Sequence, residues 1–174
     1  MKPFIKILFL CMLSSALIFA EGCGFFKHYD FKGSNIPEDI GTFTVDFFGN
    51  EASLVNPQLS MNFTEKMKTK FQTESRLGMQ GFGGDYQFSG AITEYRIYPA
   101  SLNTDVGTSQ NQFSIKVRCE FNCAKYPEKN FTREFSFFKI FDANQSFESL
   151  ESQLSTEIID QIVQQIFAAV ALDW

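Results

Sequence analysis

Every second residue from Phe113 to Cys123 is apolar: Phe113, Ile115, Val117, Cys119, Phe121 and Cys123 alternate with Ser114, Lys116, Arg118, Glu120 and Asn122. A sustained period of two requires an extended strand with one face in a core and the other in water. Tyr126 to Lys129, with Pro127, then makes a turn, and Phe131 to Phe141 returns with Phe135 and Phe137 in the same phase, so the two segments form an antiparallel hairpin. Upstream, Tyr86 to Tyr98 also reads as a strand. Its apolar face switches from Phe88 and Ile92 to Tyr95 and Ile97, which places a bulge near Thr93-Glu94. A further strand is expected over Ile40 to Phe48, where Phe43, Val45 and Phe47 alternate with Thr42, Thr44 and Asp46.

Two segments follow a helical period instead. Asn56-Pro57 has the form of an N-cap followed by proline at the first helical position, and Leu59, Phe63, Met67 and Phe71 then lie four apart on one face up to about Ser75. The last helix runs from about Phe147 to Leu172, capped by Ser146 or a close neighbour, with Glu148 and Glu151 near its positive end. Leu150, Leu154, Ile158, Ile162, Ile166 and Val170 make one stripe, and Ile159, Val163, Phe167 and Ala171 a second beside it. About 26 residues rise roughly 39 Å, long enough to cross a whole sheet. The expected fold is therefore α+β, a two-layer sandwich in the order β-α-β-β-β-α, with both helices on one face of a four-stranded sheet.

The N-terminus carries an address. Lys2 and Lys6 precede an apolar run from Ile7 to Ala20, and Gly22-Cys23 closes it, which is the layout of a bacterial export signal. The run falls short of the ~20 apolar residues that span a bilayer. A small residue directly before cysteine points to lipoprotein processing, with residues 1–22 removed and Cys23 acylated. Ala20 stands where a lipobox usually has Leu, and Glu21 where it has a small uncharged residue; the alternative is ordinary cleavage after Ala20, leaving Cys23 as a free or paired thiol. Residues 23–39 show no sustained period and read as a tether that reaches about 50 Å fully extended. Residues 40–174 form one domain.

Processing removes two Lys and one Glu from 15 basic and 20 acidic residues, leaving a net charge near −6. An acidic domain is a poor partner for nucleic acid. Of the 22 Phe only Phe4, Phe9 and Phe19 are lost, so the mature chain is left with more Phe than a core of this size obviously needs. Either the core is Phe-rich or some of these rings line a surface that meets lipid or protein.

Catalytic patterns are absent from the sequence. The one His, His28, falls in the tether, and no Cys/His, Ser/His or metal-ligand spacing occurs. Asp85, Glu94 and Glu134 are carboxylates without a spacing that picks out a pair. Gly78, Gly81, Gly83 and Gly84 lead into a strand with no Lys-Ser/Thr after them, so they make a flexible turn and not a phosphate loop. Asn62, Asn130 and Asn144 are chance matches to a glycosylation pattern. Lys66, Lys68 and Lys70 lie off the apolar stripe, on the solvated side of their helix. Lys116 and Arg118 stand on the outer strand face, where they either grip phosphates or pair with carboxylates such as Glu134. Neither an enzyme nor a cofactor is expected.

Several pieces in this order resemble the lipopolysaccharide-assembly lipoprotein family, LptE. They are Gly22-Cys23-Gly24, Phe31 to Pro37, Leu54-Val55-Asn56-Pro57 leading into Phe63-Thr64-Glu65, Phe88-Ser89-Gly90 to Tyr95, and the Asp160-Gln161 helix ending at Trp174. The resemblance implies a lipoprotein anchored through Cys23 on the periplasmic side of the outer membrane. It implies two helices on a four-stranded sheet, and a plug inside the β-barrel LptD, the pair delivering lipopolysaccharide to the cell surface. The alternative is a free-standing periplasmic lipoprotein that holds a small apolar ligand between sheet and helices. A deep apolar cavity favours the latter; a filled core with exposed Phe favours the former.

Overall fold

The computed structural model describes residues 35–53, 56–100 and 109–172; the expected signal peptide 1–22, Cys23 and His28 lie outside the described residues. The elements are β1 (Thr42–Val45), β2 (Gly49–Asn50), α1 (Pro57–Glu74), β3 (Gly78–Met79), β4 (Tyr86–Pro99), β5 (Gln110–Cys123), a 3₁₀ turn (Pro127–Lys129), β6 (Phe131–Asp142) and α2 (Phe147–Ala171). The α+β class and the two helices are as expected. The sheet has six strands and not four, in the order β3-β1-β4-β5-β6, with β2 also paired to β4.

Two short strands make the difference. Gly78–Met79, expected to be turn, pairs in parallel with Thr42 and Phe43 of β1. Gly49–Asn50 pairs in parallel with Ala91 and Ile92. A two-residue strand has no room for a period of two, so neither leaves a pattern in the sequence. The sheet is mixed because β1 also runs parallel to β4, from Phe43 opposite Tyr86 to Val45 opposite Phe88. A parallel neighbour requires a crossover, and α1 supplies most of it.

The expected Ile40–Phe48 strand stops at Val45 because Phe48 has a better place than the ladder. Its amide donates to Thr64 Oγ1 at 3.1 Å, and its ring lies 4.9 Å from that of Phe63 on α1. This reverses the phase: Phe48 is fully buried, and Phe47, expected to point inward, is 66% exposed. The expected bulge is present, as a register shift between Ile92 and Glu94.

Asn56 caps α1, its side chain accepting from the Gln58 amide at 3.0 Å, and Leu59, Phe63, Met67 and Phe71 are all buried. Ser146 occupies the cap position of α2 without a side-chain capping bond; its hydroxyl donates instead to Glu148 Oε2 at 3.0 Å. Both stripes of α2 from Leu154 to Ala171 are buried. Phe71 is the centre of the core, with its ring 4.5 Å from Phe88, 5.1 Å from Phe167 and 5.8 Å from Phe43. The Phe surplus is thus largely core, since Phe43, Phe48, Phe63, Phe71, Phe88, Phe113 and Phe121 are all sealed from water. Each ring so buried favours folding by roughly 1.5–3 kcal/mol.

Cys119 and Cys123 are buried free thiols on one strand. Four residues of strand separate them by about 13 Å, past the ~7 Å limit for a disulfide. Burial pushes the Cys119 thiol up to about 12, so almost no thiolate exists at neutral pH. Native protein is expected to resist alkylation at both positions while urea-unfolded protein reacts at both. Peptide mapping after iodoacetamide treatment reads this directly, and fast native labelling would contradict it.

Candidate functional site

Because both helices cover one sheet face, the β5 side chains between its apolar positions stand on an open face. Lys116 and Arg118 lie there. The Lys116 ammonium is 3.8 Å from Glu134 Oε2, and Arg118 Nη2 donates to Glu51 Oε2 at 2.9 Å. The Lys116 partner is diagonal, because Glu134 is directly opposite Arg118 in the ladder. Both pairs are partly exposed, and such pairs contribute only about 0–1 kcal/mol, so an anionic ligand would displace these carboxylates at little cost.

Of the three carboxylates singled out in the sequence, Asp85 stands apart: it precedes β4, about 30 Å along the chain from Glu94. Glu94 is directly opposite Lys116 in the β4–β5 ladder and Glu134 pairs with Lys116 from β6, so these two flank one lysine. Among the described residues no group of three or more His, Cys, Asp or Glu comes together to hold a metal.

Glu151 has a structural role. It accepts from Asn56 Nδ2 at 2.9 Å and from the Tyr95 hydroxyl, tying the start of α1 to α2 and to the sheet. Burial and the bond to Glu151 push the Tyr95 hydroxyl up to about 12. Along the solvent side of the helix pair runs a cleft of about 330 Å³ lined by Asn62, Glu65, Lys66, Thr69, Thr156 and Ile159. Lys66 spans it to Asp160 at 2.7 Å. The cleft lies between the two helices, outside the core that packs between sheet and helices.

Exposed apolar side chains mark the sheet edges. At the β1–β3 edge Phe47 and Met79 are exposed, and Phe82, in the turn that follows β3, is 92% exposed. At the β6 edge Phe138 and Ile140 are about half exposed on the open face. Sequence reading followed Phe135 and Phe137 inward and passed over Phe138. The signal was available: adjacent Phe residues in a strand must point to opposite faces.

Asp85 latches one end of the sheet. Its Oδ2 accepts from the Gly41 amide at 2.9 Å and from the Thr42 amide and hydroxyl, each at 3.0 Å, and its Oδ1 meets Lys125 Nζ at 3.0 Å. The Gly41 amide and then the Lys125 ammonium favour the carboxylate and hold its pKa at about 2, below the ordinary 3.8. A depressed folded-state pKa gives stability that is complete above the unfolded value and lost as pH falls through the folded one. The stability difference between the wild type and Asp85→Asn is therefore expected to be full above about pH 4 and to vanish towards pH 2. Urea unfolding at several pH values measures it; a gap independent of pH would exclude the latch.

The lipopolysaccharide-assembly model of the LptE family matches residues 40–170 of this chain. No curated protein sequence matches it. Among solved structures, XCC0632 of Xanthomonas campestris is 8% identical with a TM-score of 0.53, covering 78% of this chain and 86% of its own, a likeness of fold alone. A minor lipoprotein of Acinetobacter baumannii is 12% identical with a TM-score of 0.48, covering 73% of this chain and 89% of its own. An uncharacterized lipoprotein B of Nitrosomonas europaea is 12% identical with a TM-score of 0.48, covering 77% and 87%.

Proposed function

The chain belongs to the LptE family of lipopolysaccharide-assembly proteins, and on that premise we propose that it is a non-enzymatic outer-membrane lipoprotein that plugs the LptD barrel and helps it assemble. The observation that carries this reading is the combination of a filled Phe core with Phe47 exposed at one sheet edge and Phe138 at the other. A chain built to hold a ligand keeps its apolar lining around a void, whereas here the rings between sheet and helices lie 4.5–5.8 Å apart. Phe47 and Phe138 are on the outside, where a barrel wall would meet them.

Residues 1–22 are proposed as the signal, Cys23 as the acylated residue, 23–39 as the tether and 40–174 as the domain that enters the barrel. Lys116 and Arg118, on the open face, are proposed to exchange their carboxylate partners for lipopolysaccharide phosphates. Replacing both by Gln should weaken lipopolysaccharide binding and leave the melting temperature nearly unchanged, since each exposed pair lost contributes only about 0–1 kcal/mol.

Purification of the tagged protein from native outer membrane, followed by identification of what comes with it, tests the partnership. Recovery of LptD supports the reading; recovery of the domain alone at native levels removes it. The anchor has its own test. Two or more acyl chains, at ~0.8 kcal/mol per buried CH₂, hold firmly where one binds marginally, so the protein should stay with outer-membrane vesicles through salt and carbonate washes and Cys23→Ala should release it. An unmodified mature N-terminus by mass spectrometry would end the claim.

A further inference from the structure

The stretch from Gly78 to Asp85 leaves one residue and returns to it. The Gly78 amide donates to the Gly41 carbonyl at 2.9 Å, and the Gly41 amide donates to Asp85 Oδ2 at 2.9 Å. The other bonds of the loop are at its base: the Gln80 amide to the Phe43 carbonyl at 2.8 Å, Thr44 Oγ1 to the Gln80 carbonyl at 3.2 Å, the Gly84 amide to Thr44 Oγ1 at 3.0 Å, Gln87 Nε2 to the Gly84 carbonyl at 3.2 Å and the Asp85 amide to Thr42 Oγ1 at 3.0 Å. Gly84 lies so close to the β1 backbone that a Cβ there would stand 2.6 Å from the Phe43 carbonyl carbon. The base of the loop is therefore rigid and its tip is bare. Around Gly81 and Gly83 nothing stands within 4 Å of where a side chain would begin, and Phe82 between them is 92% exposed, with Met79 about half exposed nearby.

A ring this exposed adds nothing to the core, and its flanking glycines build no rim to shield it. Protein hot spots sit in packed, desolvated pockets inside a rim that excludes water. A bilayer interface needs no such rim, because it closes around any projecting apolar group. Leu77 to Gly84 carries no charge, so its entry into an interface desolvates none. Asp85, the first charge beyond it, is already held by Gly41, Thr42 and Lys125.

The loop also lies at the end of the domain where the described chain begins. Gly41 follows directly on Asn35 to Ile40, which are fastened down: the Asn35 amide bonds the Ala171 carbonyl, and Arg76 Nη1 donates to the Ile36 carbonyl at 2.9 Å. From Cys23 to Asn35 the chain has a covalent reach of at most about 40 Å. We propose that the Met79–Gly84 loop is a second membrane contact that inserts Phe82 into the interface of the leaflet holding the acylated Cys23, turning the Gly41 end of the domain towards the lipid. The inference rests on the acyl anchor proposed above. The acyl chains give residence at the surface, and the loop gives orientation, since one Phe at high local concentration suffices to bias a tethered domain.

The test uses the full processed chain on vesicles of phosphatidylethanolamine and phosphatidylglycerol, with Trp174→Phe removing the native tryptophan. Phe82→Trp is then the probe and Ile140→Trp, at the opposite sheet edge, the control; both sites are exposed, so both variants keep the fold. The expected result is a blue shift of the Phe82→Trp emission on binding and its loss when the lipids carry brominated acyl chains, with the Ile140→Trp emission unchanged. A chain that sediments with vesicles while its Phe82→Trp emission stays unshifted and unquenched refutes the loop contact and leaves the anchor standing. A blue shift that arises only on adding the purified barrel assigns the loop to protein and overturns the proposal. A chain that fails to sediment refutes the anchor, and the proposal with it.

Discussion

Replacing Ile162 by aspartate is expected to abolish folding and with it the assembly of the barrel. Ile162 lies at the middle of the buried stripe of α2 and is fully sealed, so the carboxylate would have neither water nor a partner. An uncompensated buried charge costs about 3–5 kcal/mol, and the lost isoleucine packing adds to it. Total stability of a domain this size is only about 5–15 kcal/mol. Urea or thermal unfolding of the purified variant measures the loss. In cells depleted of the native protein, the variant should leave LptD scarce and newly made lipopolysaccharide absent from the surface. On the proposed reading, Cys23→Ala in an exported chain should only weaken both, because acylation would raise local concentration while a plug contact would depend on the packed fold. Normal barrel levels and surface lipopolysaccharide in depleted cells would remove the plug reading.

Gly90→Ala is expected to cost nearly as much, although it adds one methyl group. Gly90 sits inside β4 opposite Cys119 with φ at 151°, a backbone conformation that L side chains rarely adopt. A Cβ there would lie 2.0 Å from the Arg118 carbonyl oxygen and 2.9 Å from Phe48 Cε1. The first neighbour is backbone of the longest strand pair in the sheet, so relief requires separating β4 from β5. A loss of about 4 kcal/mol is anticipated. Gly49→Ala is the control, since nothing lies within 4 Å of its Cβ position, and its urea midpoint should move little. A Gly90→Ala midpoint equal to the control would contradict the strain argument.

The long elements were legible because each repeats its signal many times. β5, β6, α1 and α2 appear where their periods put them, and the Thr93 bulge is visible as a change of phase. The Phe47–Phe48 reversal was not legible, because it depends on Thr64 Oγ1 being free to accept the Phe48 amide. Candidate sites were read unevenly. Lys116 and Arg118 stand on the outer strand face as read, but the carboxylate bonded to Arg118 is Glu51, 67 residues away in the chain, and not Glu134 opposite it. Phe82 was taken only as part of a glycine turn, and nothing in a turn sequence says whether its aromatic residue is covered.

What the sequence determined by itself is whatever depends on neighbours along the chain: the strand and helix periods, the Asn56-Pro57 cap and the α+β class. These follow from backbone geometry, which fixes where residues two or four positions apart must point. Tertiary structure alone decided the six-stranded mixed sheet, the Asp85 latch on Gly41, the demand for glycine at position 90 and the exposure of Phe82. Each arises where two distant segments meet, and a two-residue pairing or a single close approach is fixed by the shape of the packed core.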